Sequence, residues 1–151
     1  MNQLLKTGLF LLSTTALLAA CGEAEDTRPG QPVKQRQQAF KEIIKVFEPM
    51  GVMLRKERYE ADRFLSFAEQ LHAKREAPWS HFGPDTLYPP SKAKAGLWQQ
   101  PQQFEQDKQA FLQASEALLS AAQSKDKARI QTAYDSVHNS CKTCHDHFKA
   151  R

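Results

Sequence analysis

The chain has 151 residues, 40% of them apolar and 25% charged, which suits one domain with its own core. Its formal charge of +4 is small and spread along the chain. That excludes a nucleic-acid binder and leaves a mildly basic surface suited to meeting an acidic redox partner.

The first stretch, MNQLLKTGLFLLSTTALLAAC, is a message apart from the fold. A short head with Lys6 precedes an apolar run from Leu9 to Ala20, and the small residues Ala19 and Ala20 stand before Cys21. Residues 1–20 read as a secretory signal, too short for an ordinary spanning helix. The ending Leu18–Cys21 (LAAC) resembles a bacterial lipobox. That resemblance implies cleavage before Cys21, acylation of its sulfur and a periplasmic protein anchored to a membrane. Gly22, where an inner-membrane retention signal would place aspartate, favours the outer membrane. The other reading is plain signal cleavage nearby, with Cys21 left as a free thiol. Residues 21–32 follow as a flexible tether: from Gly22 they carry three acids, one base, two prolines and no apolar period.

Four amphipathic helices then fill residues 33–151, with no competing strand pattern. The first is expected over Val33–Leu54, with Phe40, Ile43, Ile44 and Phe47 in helical period and a kink or break at Pro49. The second is expected over Tyr59–Lys74. The third, over Gln102–Gln123, spaces Phe104, Phe111 and Leu118 by seven, with Ala114 and Ala121 offset by three, as in a bundle seam. The fourth, over Asp126–Lys149, carries the stripe Ile130, Ala133, Tyr134, Val137, Cys141, Cys144, His145 and Phe148. Between the second and third helices lies PWSHFGPDTLYPPSKAKAG. A loop of that length needs a reason: it covers an apolar cofactor, or it is a crossover pinned by its own aromatics. The fold class is all-α, an antiparallel four-helix bundle.

Chemistry concentrates in CKTCH, residues 141–145. The chain has three cysteines, one at the lipobox and two in this motif, so no long-range disulfide is available within the bundle. Structural zinc needs four ligands around a small ion, and here every candidate is local to one helix. A redox dithiol wants a βαβ setting that is missing. Covalent haem needs two thiols and an adjacent histidine, which CxxCH supplies. Cys141, Cys144 and His145 fall at i, i+3 and i+4, on one helical face expected to point into the bundle. His72 and His81 read as solvated, and His147 as exposed and off the stripe. No acid–base pair or activated nucleophile is visible, so an enzyme is not expected.

CxxCH on the last helix of a bundle is similar to the cytochrome c′ family, the class II c-type cytochromes. RQQAFK (Arg36–Lys41), WSHFGPDT (Trp79–Thr86), Leu97–Trp98, FEQDKQAF (Phe104–Phe111) and the ending CKTCHDHFK resemble family segments across residues 33–151. The resemblance implies one haem c attached through Cys141 and Cys144, with His145 as the iron's proximal ligand. It implies Arg36 and Gln37 near the haem propionates, Lys149 close to the proximal histidine in place of the commoner arginine, and Phe40 facing the iron's other side. Phe40 has no lone pair for iron, so the metal is expected to be five-coordinate and to bind nitric oxide and carbon monoxide. The rival is a six-coordinate electron carrier with Met50 or Met53 as ligand, and a third reading is a haem-free bundle using CKTCH for zinc or partner docking. The family also implies electron exchange with a redox partner protein and a homodimer through the first two helices.

Overall fold

The computed structural model describes residues 24–56 and 58–151. Cys21 and the expected signal, residues 1–20, lie outside them. The elements are α1 (Pro32–Arg55), α2 (Ala61–Lys74), a 3₁₀ turn (Trp79–His81), the one-turn α3 (Gly96–Gln99), α4 (Pro101–Ser124) and α5 (Lys127–Phe148). The four long helices form the expected bundle. α1 packs on α2, α2 on α4 and α4 on α5, but α1 and α5 do not close backbone to backbone in the same way. One edge of the bundle is therefore a slot.

Local chemistry explains the ends. α5 starts where Asp126 accepts hydrogen bonds from the Ala128 and Arg129 amides, the usual way of satisfying free N–H groups at a helix start. α4 stops at Lys125, which takes a left-handed φ of 56°. α1 starts with Pro32 after a left-handed Gln31, whose own side chain gives no cap. Its cap comes instead from Asp26, whose Oδ2 accepts from Val33 N at 2.9 Å and Lys34 N at 3.1 Å. Asp26 Oδ1 accepts from Tyr88 Oη at 2.9 Å, and Arg28 lies over the Tyr88 ring. Composition had marked this stretch as tether, yet Asp26 is only 1% exposed. From Asp26 onward the stretch is a strap fastened to the long loop.

α1 runs on through Pro49, so the break that was one of the two expected outcomes there is absent. The carbonyl it deprives of a donor belongs to Lys45, one turn earlier and exposed, so that group faces solvent and not the core. The core runs through Met50, Phe64, Leu71, Leu118, Ile130 and Val137, each at most 1% exposed. Met53 is buried with them. The long loop is pinned by aromatics: Trp79 packs edge-on against Phe40 and Phe111, and Phe82 against Phe104. Its far end pairs with the chain terminus through the Ala93–Lys149 bridge, with Lys94 N donating to Phe148 O at 2.8 Å.

Candidate haem site

The last two turns of α5 carry Cys141 and Cys144 half-buried, with His145 exposed at the helix surface. The stripe was expected to face inward along its whole length. It does so from Ile130 to Val137, opens at Cys141, Cys144 and His145, where α1 does not close over it, and is buried again at Phe148. Burial raises the pKa of the Cys141 thiol, and burial, helped by the nearby Asp107 charge, pushes Cys144 up to about 12. His145 is shifted the other way: desolvation of the ring, then the Lys149 ammonium, hold its pKa below the ordinary imidazole value. Its imidazole is therefore neutral near pH 7, the form that binds a metal. Two un-ionised thiols and a neutral imidazole on one face, beside a slot, are the donor set that a covalent haem requires.

α1 forms the other wall. Phe40 sits half-buried against Trp79 at 5.6 Å and Phe82 at 6.3 Å between ring centroids. On the same edge, one turn on, Ile44 is 41% exposed, while Ile43 beside it is buried. By helical period Ile44 shares an edge of α1 with Phe47, whose ring stacks on Tyr134 of α5, and an open apolar side chain there fits a large apolar group in the slot. Met50 and Met53 lie in the core and not on this wall.

Arg36 and Gln37 hold the loop. Arg36 is buried, stacks over Phe82 at 4.8 Å and donates to Thr86 Oγ1 at 2.8 Å, Thr86 O at 2.9 Å and Ser91 Oγ at 2.5 Å. Gln37 donates to Pro90 O at 3.1 Å. The resemblance put both beside the propionates; in the structure their side chains tie α1 to the loop that roofs the slot. Lys149 lies near His145, as expected, and its amide donates to the His145 carbonyl. A cleft of about 730 Å³ beside them is lined by Lys94, Lys142, His145, Asp146 and Lys149.

Two features escaped the sequence reading. His147 is exposed, as expected, but its Nδ1 lies 2.8 Å from Oδ2 of the buried Asp107 on α4. His72 is not simply solvated: its Nε2 is 2.6 Å from Glu116. Each pair joins residues 40 or more apart, and helical period gives no signal for such partners.

The sequence model of the family described as Cytochrome C′ matches residues 31–149. The chain belongs to the cytochrome c′ family. It is 30% identical over 125 residues to cytochrome c′ from Alcaligenes xylosoxydans xylosoxydans, covering 82% of this chain and 97% of that one. Among solved structures it resembles cytochrome c prime from Shewanella frigidimarina, with a TM-score of 0.79, 31% identity and coverage of 83% and 98% of the two chains. It also resembles a nitric oxide complex of a mutant cytochrome c prime from Alcaligenes xylosoxidans, with a TM-score of 0.77, 30% identity and coverage of 84% and 100%. Cytochromes c′ carry a covalently attached c-type haem, and haem c is this chain's cofactor.

Proposed function

We propose that this cytochrome c′ is an exported haem protein that binds nitric oxide and carbon monoxide at a five-coordinate iron and exchanges electrons with a partner protein. When bound, the haem supplies a redox-active iron with one site for a small ligand. Cys141 and Cys144 would hold it through thioethers, and His145 would offer its neutral ring to the iron. Phe40 is the observation that carries the reading. The α1 wall carries this phenyl ring, which the family resemblance puts on the iron's other side, and Met50 and Met53 are committed to the core. A phenyl roof donates no hydrogen bond, so it favours nitric oxide and carbon monoxide over anions or dioxygen. Phe40 must give way to an incoming ligand, which slows binding without forbidding it. In this reading the site's role is binding and electron exchange and not catalysis. Gas binding is a property that one neighbour's own description records, as a nitric oxide complex.

The test is the absorption spectrum of the ferrous protein with and without carbon monoxide. The expected result is a high-spin spectrum, a carbon monoxide adduct, faster binding in Phe40→Ala and a shift toward low spin in Phe40→Met. A sharp low-spin α band in the wild-type protein, lost on Met50→Ala or Met53→Ala, overturns the reading in favour of a methionine-ligated carrier.

Acylation at Cys21 and a periplasmic, membrane-anchored location belong to the same proposal, supported by the LAAC sequence. The protein is expected to take up a labelled fatty acid, and Cys21→Ser to abolish the label. Unlabelled wild-type protein released as a soluble periplasmic species refutes the anchor.

A further inference from the structure

α1 and α5 are the two walls of the slot, and what sets their separation sets the room above the iron. They meet below the slot. Phe47 stacks on Tyr134 with ring centroids 4.4 Å apart and an interplanar angle of 9°. Gly51, one turn further along α1, lies so close to the same ring that a Cβ there would stand 2.2 Å from Tyr134 Oη and 2.9 Å from Cζ. The glycine is helical and has no left-handed φ to explain it. A glycine inside a helix is unfavourable compared with alanine. Its use here is the close approach of the α1 backbone to Tyr134. The Arg55 guanidinium lies beside the contact, its Nη1 2.8 Å from the same Cβ position.

We propose that Gly51 and Tyr134 are the fulcrum that sets the width of the α1–α5 slot, and through it the freedom of Phe40 to give way to a ligand. The inference deepens the gas-binding reading and rests on it. Phe40, Ile44, Phe47 and Gly51 fall at i, i+4, i+7 and i+11, along one edge of α1. Gly51 lies about 16 Å below Phe40 along the helix, and Tyr134 lies about 15 Å below Cys144 along α5. The contact therefore sits at a similar depth below both walls, like the hinge of a V. Above it, Ile44 is open to solvent and Phe40 is half-buried. Below and behind it the helices are fixed by the α1–α2, α2–α4 and α4–α5 packing. A methyl group at residue 51 has to push Tyr134 away by about 1 Å or more to reach ordinary contact distance. Close-packed helices pass such a push along as a tilt.

The experiment uses the holoprotein. Carbon monoxide association is followed after flash photolysis in wild type, Gly51→Ala, Gly51→Ala with Tyr134→Phe, and the exposed-face control Val52→Ala. Gly51→Ala is expected to bind roughly three- to tenfold faster, with the double variant in between and Val52→Ala unchanged. A folded Gly51→Ala protein that loses stability but keeps the wild-type rate overturns the proposal, because that is the behaviour of a merely structural glycine. Should Gly51→Ala fail to accumulate, Tyr134→Phe keeps the glycine and removes the hydroxyl wedge. The expected result is slower binding as α1 settles closer, and an unchanged rate overturns the proposal. Spin labels on cysteines introduced at Lys41 and His138 supply a readout independent of gas binding. The separation is expected to widen in Gly51→Ala relative to wild type, or to narrow in Tyr134→Phe, and no change in the variant obtained refutes the fulcrum. A wild-type protein that forms no carbon monoxide adduct sinks the gas-binding reading alone, and the label distance then decides the fulcrum.

Discussion

At the end of the bundle where α1 turns into α2, the interior is filled by Met50, Phe64, Leu118 and Ile130, all at 0% exposure. At the other end the stripe of α5 opens, Cys141 and Cys144 are half-buried, and a polar loop held by Arg36 covers the helix tips. The same helices run through both ends, so the difference is not one of helix propensity. It lies in what closes the bundle: aliphatic and aromatic packing at one end, and at the other a charged hydrogen-bond hub, an aromatic cluster and a place for haem. The closed end supplies stability and the open end supplies the site, and the two can be perturbed separately.

The largest effect separates them outright. Cys141→Ala with Cys144→Ala is expected to abolish covalent haem, so that acid–acetone extraction strips whatever remains, while the helical circular dichroism of the closed end persists. Covalent haem retained in that double variant would be fatal to the attachment site. Next in size, Leu118→Ala at the closed end is expected to cost about 3–5 kcal/mol in urea unfolding of the holoprotein. Arg36→Ala at the open end is expected to cost less, about 2–3 kcal/mol, from lost bonds to a buried charged donor. It should also expose residues 78–91 to proteases, which Leu118→Ala should not do below its unfolding transition. Equal protease sensitivity in the two variants would erase the distinction between the ends.

The smallest effect concerns the strap. Burial raises the pKa of Asp26, but hydrogen bonds from the Lys34 amide, the Tyr88 hydroxyl and the Arg28 and Val33 amides outweigh it and leave the carboxyl below its usual value. A carboxylate with a depressed folded pKa contributes stability above its unfolded pKa, and that contribution fades as pH falls through the folded one. Asp26→Asn is therefore expected to be less stable than wild type at pH 7 and to converge with it at acid pH. A constant gap between the two unfolding curves across that range would show that the charge of Asp26 is irrelevant to the strap.

Periodicity made the bundle legible, because Phe104, Phe111 and Leu118 or Ile130, Tyr134 and Val137 repeat at the helical interval whatever they pack against. The CxxCH spacing made the cofactor legible for the same local reason. Contacts between distant segments were not legible. Asp26 finds Tyr88 across 62 positions, and Asp107 finds His147 across 40. A polar tract reads as solvated until the fold shows which of its residues has a buried partner. The unbroken helix at Pro49 was not legible because the helical penalty depends on which way the orphaned carbonyl faces, and sequence period alone does not say how solvent meets Lys45. Gly51 was passed over because its meaning lies wholly in the ring of Tyr134.

The strap also fixes a mooring length. Cys21 precedes Asp26 by five residues, a line of at most about 18 Å when taut. α1 alone, at 24 residues, is about 36 Å long. Were Cys21 acylated as proposed, the bundle would ride with its haem end against the bilayer and its aliphatic end outward, too short-leashed to turn over. Gases partition into the hydrocarbon of a membrane, so in that arrangement a ligand leaving the lipid would meet the Phe40 side of the molecule before it met the bulk of the periplasm.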